Sequence, residues 1–330
     1  MNLSLKNIIA PKIHIALLLL GSCVPLWFLA DIGNQNPAIP QNYLNFFQLL
    51  HIDIPTSSLF YSLITLVFML INGFVIAQLN SKYSIIRTRT FLPLFVFVAL
   101  VSSWSSSHYL NQSHVALTLT VTALYFFFNM HRNENGVEQA YMGSFMIGIA
   151  SVLINSLIFL LPICWIGFVL FQCFSPRTFF SSVFGMITPW ILYLSYFHLT
   201  NPEVEIIQSL NPDFYFSFTF HELPLHSIVY IISISIVLII GILGMFASMQ
   251  SDAIHTRTKL NFLVWILVSI TILALIFSNQ AISLLPIIAL TYSIILSHPL
   301  SLKVNSSNAM VFIAFCIINI IHIIFKTSLF

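Results

Sequence analysis

The sequence predicts an all-α polytopic membrane protein with about eleven hydrophobic spans and a cytoplasmic N-terminus. Hydrophobic residues make up 58% of the 330-residue chain and charged residues only 6%, whereas a soluble domain carries about 25% charged residues. Eleven apolar runs contain no Asp, Glu, Lys or Arg. With the N-terminus inside, ten of the eleven Lys and Arg residues fall in cytoplasmic loops, as the positive-inside rule requires. The net charge of +2 is too small to indicate a nucleic-acid partner.

The first run follows Lys6 and Lys12 and resembles a signal peptide. No small-x-small cleavage site follows it, so it is predicted to stay as an uncleaved first span. The later runs are delimited by charged or turn-forming loops. Together the predicted spans lie near 13–30, 59–79, 91–104, 114–130, 142–154, 156–174, 179–198, 227–248, 261–277, 281–296 and 308–325.

The uncharged stretch from Gln139 to Pro176 decides the topology. It is too long for one crossing, since about 20 apolar residues span a bilayer. Asn155-Ser156 is the only strongly polar pair at its centre, and both residue types favour tight turns. The sequence therefore predicts a helical hairpin, 142–154 and 156–174, whose first arm either spans the membrane or is re-entrant. A single helix would place most of the later Lys and Arg residues outside.

Two predicted outer loops are long, Asp31–Ser58 and Thr200–Ser227. The first contains Tyr43–Leu50, with apolar residues at helical spacing, and this segment is predicted to lie flat on the membrane. The second contains Phe214–Phe220, with an aromatic residue at every second position. That period indicates a strand-like segment that either rests on the interface as an aromatic belt or stacks on a ligand.

The candidate acids and bases lie in these two loops and, for His108, in the short outer loop between them. The spans lack charged residues, and this disfavours an ion-coupled carrier. Asp31 lies where the first span leaves the membrane, and Asp53 closes the same loop. A carboxylate at a membrane rim can act as a general base toward a hydroxyl group. The other candidates are His108, His221, Glu222 and His226.

No resident cofactor is indicated by the sequence. The chain has no Gly-rich phosphate loop and no nucleophile elbow. A divalent metal ion is thus not indicated, although it stays open. The four cysteines all fall inside apolar runs without a CxxC spacing, which favours packed thiols over a disulfide framework or a zinc site.

The layout of residues 1–198 resembles the GT-C superfamily, polytopic glycosyltransferases that use polyprenyl-phosphate sugars at the outer membrane face. The residues that carry this resemblance are a first span ending in Asp31, a flat outer-loop segment, Asn80-Ser81-Lys82-Tyr83, Phe91-Leu92-Pro93-Leu94, Ser102, Ser103, Ser105–Ser107, and Gly143-x-x-x-x-Gly148-Ile149-Ala150-Ser151. The segment 80–197 also resembles an uncharacterised family of Bacteroidota multi-pass membrane proteins.

The resemblance implies a division of the chain and a mechanism. Residues 1–199 would form a seven-span GT-C-like module, and 200–330 an outer loop with a four-span module. Asp31 would deprotonate an acceptor hydroxyl, which displaces the lipid phosphate with inversion at the sugar, and Asp53 would be a second carboxylate. The predicted outer face carries no Arg, the usual partner of a phosphate. Substrate binding is therefore assigned to His51, His108, His221 and Glu222.

The predicted location is the bacterial inner membrane, where the expected partners are membrane lipids and a polyprenyl-phosphate-linked sugar. An alternative function exists on the same fold. The chain would then be a non-enzymatic membrane scaffold or a lipid-handling or transport protein.

Overall fold

The computed structural model describes Gly21, Val24, Trp27, Phe28 and residues 58–88, 90–108, 110–130, 136–200, 224–302 and 306–328. The regular secondary structure of this part of the chain is helical, with turns and loops between the helices, which confirms the all-α class. The ten described α-helices are α1 (Ser58–Tyr83), α2 (Leu92–Ser102), α3 (Gln112–Asn129), α4 (Val137–Leu153), α5 (Leu161–Leu170), α6 (Pro176–Thr200), α7 (Leu225–Met249), α8 (Ile254–Ile276), α9 (Ala281–Leu302) and α10 (Ser306–Ser328). Short 3₁₀ helices cover Ser105–His108, Asn155–Leu160 and Ser278–Gln280.

Six of these helices are long and apolar enough to cross a membrane: α1, α6, α7, α8, α9 and α10. The chain is therefore a helical membrane protein. Helix α2 has only 11 residues, all of them buried. At 1.5 Å per residue it is about 16 Å long, against about 30 Å of bilayer hydrocarbon, so it is too short to cross alone. The count of eleven crossings and the cytoplasmic N-terminus stay predictions.

The chain divides into two compact units. Unit 1 comprises Met1–Asn111, Glu222–Thr256 and Ala289–Phe330, and unit 2 comprises Gln112–His221 and Arg257–Ile288. Both units are thus assembled from segments that are distant in the sequence. The predicted division into modules 1–199 and 200–330 stays a prediction.

In unit 2, α4 and α6 run parallel to each other. The Oγ of Ser181 donates to the backbone oxygen of Val137 over 2.7 Å at the start of both helices. Further along both, the Nε1 of Trp190 donates to the Oγ of Ser151 over 2.8 Å. Because two parallel neighbours are joined by 154–175, this connecting segment has to return to the start of α4. The chain therefore doubles back here, as the charge distribution predicts.

The break between the two arms differs in detail from the predicted tight turn. Ile154 is extended, with φ −130° and ψ 98°, and Asn155 then begins a 3₁₀ helix. Among the described non-glycine residues, positive φ occurs only at Ser84 and Gln172, so Asn155 is not left-handed. The backbone N–H of Ser156 donates to the Oε1 of Gln280 over 3.0 Å. The side chain of Gln280, distant in the sequence, thus accepts the hydrogen bond of a backbone N–H at this turn. The residue types near the turn could not predict this contact.

The described cysteines are free thiols. Cys164 and Cys173 are buried in unit 2, and Cys316 is partly buried in unit 1. The prediction of packed thiols is confirmed for these three, whereas Cys23 lies outside the described residues.

In unit 1, α7 has α9 and α10 as neighbours that run in opposite directions. The hydroxyl of Tyr292 on α9 donates to the backbone oxygen of Ile234 over 3.1 Å, and further along both helices His298 faces Ser248. Helix α10 runs antiparallel to α7, because its late residues contact the first two turns of α7. Each end of α7 consequently meets a different group of polar side chains.

Candidate functional site

Near the start of α7 is a cluster that we call the Tyr230 cluster, made of Ser103, Trp104, Tyr230, Asn319 and His322. The hydroxyl of Tyr230 donates to the Oδ1 of Asn319 over 2.9 Å. The Oγ of Ser103 donates to the same oxygen over 2.7 Å. One buried amide oxygen therefore joins the end of α2 to α7 and α10.

Aromatic contacts complete the Tyr230 cluster. The ring of His322 stacks on Tyr230 with 4.0 Å between centroids and 16° between planes. Trp104 lies 5.9 Å from each of these rings. His226, one helical turn before Tyr230, lies 5.8 Å from His322 and is partly exposed. Because Tyr230 and His322 are buried, His226 and Trp104 form the accessible edge of the cluster.

A second stack adjoins this cluster. The rings of Trp27 and His108 are parallel within 8°, with 4.0 Å between centroids, and both side chains are fully buried. The Nε1 of Trp27 donates to the Oγ of Ser62 over 2.8 Å. A ring nitrogen of His108, Nε2, lies 3.0 Å from the backbone oxygen of Ser102, next in the chain to Ser103. Trp27 is thereby fixed beside the Tyr230 cluster.

The sequence-predicted site residues stand as follows. His108 is buried in the stack with Trp27, so its ring supports this end of the unit from inside. Asp31, His51, Asp53, His221 and Glu222 lie outside the described residues, as do the segments 43–50 and 214–220.

The described chain nevertheless includes residues that are close in sequence to the candidate carboxylates. Asp31 follows Trp27 by four residues, and Asp53 precedes Ser62 by nine. Glu222 precedes His226 by four residues. Trp27, Ser62 and His226 all belong to the Tyr230 end of unit 1, which is therefore the candidate functional site.

Sequence reasoning missed a group at the other end of α7, which we call the Asp252 cluster: Arg87, Asp252 and His298. The Asp252 side chain is fully buried. Its Oδ1 lies 2.7 Å from the Nε of Arg87, and its Oδ2 lies 3.0 Å from the Nε2 of His298. His298 is fully buried too, whereas 46% of the Arg87 side chain is exposed.

The predicted spans contain no Asp, Glu, Lys or Arg, but the structure buries Asp252 and Lys259 just outside them. The predicted spans ended where apolar runs end, but the helices continue beyond them. Helix α9 extends to Leu302 instead of residue 296 and so includes His298, and α8 begins at Ile254 instead of 261 and so includes the buried Lys259. No sequence spacing links the three members of the Asp252 cluster, since they come from three separate segments.

Local structure explains how Arg87 reaches Asp252. After α1 ends, Ser84 adopts φ 48°, and the Oδ1 of Asn80 accepts the backbone N–H of Ile86 over 2.8 Å. Ile85 and Ile86 are buried, which fixes the loop to the core. The hydroxyl of Thr256 donates to the backbone oxygen of Ser84 over 3.3 Å. The loop therefore presents Arg87 to the turn between α7 and α8.

The described part of the chain contains no group of three or more His, Cys, Asp or Glu side chains placed to hold a metal ion. The two histidines of the candidate site, His226 and His322, are thus not accompanied there by a third ligand. The described residues of this site form a hydrogen-bonded aromatic frame with the imidazole of His226 at its accessible edge.

Comparison with known proteins places the chain in a family. No curated protein and no solved structure matches it. Residues 41–329 match the model of the Family of unknown function (DUF6427). Because this match covers most of the chain, the protein belongs to that family.

Proposed function

We propose that this protein is a GT-C-like glycosyltransferase of the bacterial inner membrane. It moves a sugar from a polyprenyl-phosphate donor to an envelope glycan acceptor at the outer face. The observation that supports this proposal is the position of Trp27, Ser62 and His226, described residues close in sequence to the candidate carboxylates, which all lie at the Tyr230 end of unit 1.

The loop with Asp31 and Asp53 is tied at its base. The hydrogen bond between Trp27 and Ser62 joins the residues before and after it, so the loop leaves and returns at one place. The loop with His221 and Glu222 leads into His226, which contacts the Tyr230 cluster. The described residues that adjoin Asp31, Asp53 and Glu222 in the sequence thereby lie at one end of unit 1.

The chemistry needs few groups. Asp31 accepts the proton of the acceptor hydroxyl, and the hydroxyl oxygen bonds to the anomeric carbon of the sugar as the bond to the lipid phosphate breaks. The lipid phosphate leaves with the electron pair. In the absence of a predicted outer Arg, imidazoles such as His51 and His221 supply hydrogen-bond donors to the phosphate. Asp53 and Glu222 complete the polar lining.

A lipidic donor also needs access from the bilayer. The candidate membrane-crossing helices α6, α7 and α10 are only 28%, 22% and 28% buried within the protein over their most apolar windows. Their exposed faces are apolar, which suits contact with lipid chains. The same feature favours the second candidate function, a non-enzymatic scaffold or lipid-handling protein, so the test has to separate the two.

The test is complementation of a strain that lacks the protein, followed by mass spectrometry of its envelope glycans. We expect wild-type protein to restore a missing glycan, and Asp31→Asn to lower its amount about 100-fold, because general base catalysis contributes 10²-fold or more. Asp53→Asn is expected to reduce it less. Glu205→Gln, a change of the same kind in the other predicted outer loop, is the matched control and should restore the glycan.

The outcome against the enzyme is equally clear. If Asp31→Asn accumulates normally in the membrane and restores the glycan as the wild type does, the transferase proposal fails. A strain without the protein but with an unchanged glycan profile would favour the scaffold or lipid-handling function.

A further inference from the structure

We propose that the Asp252 cluster is a proton-responsive switch, in which protonation of His298 sets two cations in competition for one carboxylate and releases Arg87. This inference goes beyond the proposed function. The cluster lies at the other end of α7 from the Tyr230 cluster and shares no residue with it.

The hydrogen-bond geometry defines which atom takes the proton. Each carboxylate oxygen of Asp252 faces one partner, Arg87 or His298. A carboxylate only accepts, so the Nε2 of His298 carries the hydrogen in this contact. The other ring nitrogen, Nδ1, lies 3.5 Å from the Oγ of Ser248, whose own hydrogen can point to the backbone oxygen of Met245 at 3.0 Å. Nδ1 is therefore the position that gains a proton, with a hydroxyl oxygen beside it.

The charge balance changes with that proton. With neutral imidazole, the carboxylate of Asp252 and the guanidinium of Arg87 cancel. With imidazolium, two positive charges share one negative charge inside the protein, where Coulomb interactions are stronger than in water. The bond from His298 to the carboxylate becomes charge-assisted and strengthens.

Exposure decides which cation is displaced. His298 is fully buried and cannot reach water without a change in the packing of α9, whereas nearly half of the Arg87 side chain is already exposed. A long guanidinium side chain can place its charge in water while its methylene groups stay packed. Arg87 is therefore the partner that leaves Asp252.

Helix α8, which begins two residues after Asp252, carries His255, Arg257 and the buried Lys259. The charged groups that act on His298 are Asp252 and Arg87. Helix α7 faces it with the uncharged Ser248, and α10 contributes Asn308, which donates to the backbone oxygen of Pro299 over 2.9 Å. Because the protonated state forms as pH falls, Arg87 is bound to Asp252 at neutral pH and released once His298 is protonated.

The release stays local. Ile85 and Ile86 are buried, and the Asn80 cap does not involve Arg87. The loop after α1 thus stays attached to the core, but without the Arg87 contact it opens more often, and a positive charge is transferred from the buried pair to the protein surface. The predicted consequence is a pH-dependent change of charge at this face.

The test is a double-mutant cycle with the full-length protein in lipid nanodiscs, read out by thermal unfolding at pH 7.5 and pH 5.5. The variants are Arg87→Gln, His298→Gln and the double variant. At pH 7.5 we expect Arg87→Gln to lower the Tm by roughly 5 °C, because it leaves a buried carboxylate without its cation. At pH 5.5 the loss should be less than half of that.

In the His298→Gln background, the loss caused by Arg87→Gln should be equal at both pH values, since glutamine keeps an N–H donor but gains no charge. Arg177→Gln, at an exposed arginine of unit 2, is the control and should shift the Tm equally at both pH values. An equal loss for Arg87→Gln at pH 7.5 and pH 5.5 with His298 present would overturn the proposal.

A second measurement covers the case in which His298→Gln does not accumulate. Hydrogen exchange of wild-type amides 84–88 is compared between the two pH values as protection factors, with amides 154–160 as the reference. Lower protection of 84–88 at pH 5.5 alone supports the switch, and unchanged protection contradicts it.

Discussion

At the scale of single residues, Asn319 connects three segments of unit 1. Its Oδ1 accepts from Ser103 and Tyr230, and its Nδ2 donates to the backbone oxygen of Phe315 over 2.7 Å. Every polar atom of this buried side chain is used, and such a fully satisfied network fixes the positions of its members. Asn319 therefore determines how the candidate site is framed.

Replacing Asn319 by Ala is expected to destabilise the protein by about 1–3 kcal/mol, because the buried hydroxyl of Tyr230 loses its acceptor. Ser103 retains the backbone oxygen of Ala99 at 3.0 Å. Thermal unfolding measures the effect. Asn308→Ala, on the same helix but only half-buried, is the matched control, and an equal loss in both variants would contradict the prediction. Tyr230→Phe should recover part of the loss in Asn319→Ala.

Two contacts between single residues could not be predicted from the sequence: the pairing of Asp252 with His298 and the stacking of Trp27 on His108. Asp252 and His298 are unremarkable in the sequence, since one lies in a polar turn and the other precedes Pro299 near the end of an apolar run. Their pairing depends on the loop that brings Arg87 to them. The stack of Trp27 on His108 is hidden for the same reason, because stacking between segments so far apart leaves no periodic pattern.

At the scale of elements, α4 and α6 approach closely at glycines. A Cβ at Gly185 would lie 2.5 Å from the backbone oxygen of Tyr141, and one at Gly148 would lie 2.9 Å from that of Met186. A backbone oxygen of a packed helix cannot move aside easily. Small residues at these two positions are therefore required for the parallel pair that makes the chain double back.

Gly185→Ala is expected to destabilise the protein by about 1–3 kcal/mol, the usual range for overpacking. The matched control is Gly73→Ala on α1, where the new Cβ would meet the Cγ of Leu94 at 3.2 Å. A side-chain atom can shift, so this change should cost less. Thermal unfolding in nanodiscs compares the two, and a control that loses as much as Gly185→Ala would refute the packing argument.

Among the helices, the break after α4 can be predicted from the sequence, whereas the extent of α9 cannot. The break between α4 and the next helix is predictable, because 38 consecutive uncharged residues exceed one crossing. The true extent of α9 is not, since residues near His298 look like a loop by hydropathy. Contacts with Asp252 and Asn308 stabilise that polar end, and these are tertiary in origin.

At the scale of the whole molecule, the relative directions of several helices are defined within each unit, and the alternation of eleven crossings stays a prediction. Helices α4 and α6 are parallel in unit 2, and α7 is parallel to α9 and antiparallel to α10 in unit 1. These relations follow from the segments that turn back, whichever side of the membrane the chain starts from. The side of the membrane on which each loop lies is predicted from the positions of the Lys and Arg residues.

Cysteine labelling in intact cells measures that side. In a variant without the four native cysteines, we expect Phe174→Cys, an exposed position near Arg177, to react with an impermeant thiol reagent only after the membrane is opened. Pro202→Cys, next to Glu203, should react in intact cells. The opposite result at both positions would reverse the orientation, and equal labelling would contradict the alternation.

Helix α2 has a consequence for how the protein is made. All its residues are covered by other parts of the chain, and Phe95 packs against Phe312 of α10, with 5.9 Å between ring centroids. During synthesis this short apolar helix emerges long before α10. Its contact with α10 therefore forms only after α10 has been made, so chains that are terminated before α10 are expected to expose α2 and to be degraded by membrane quality control.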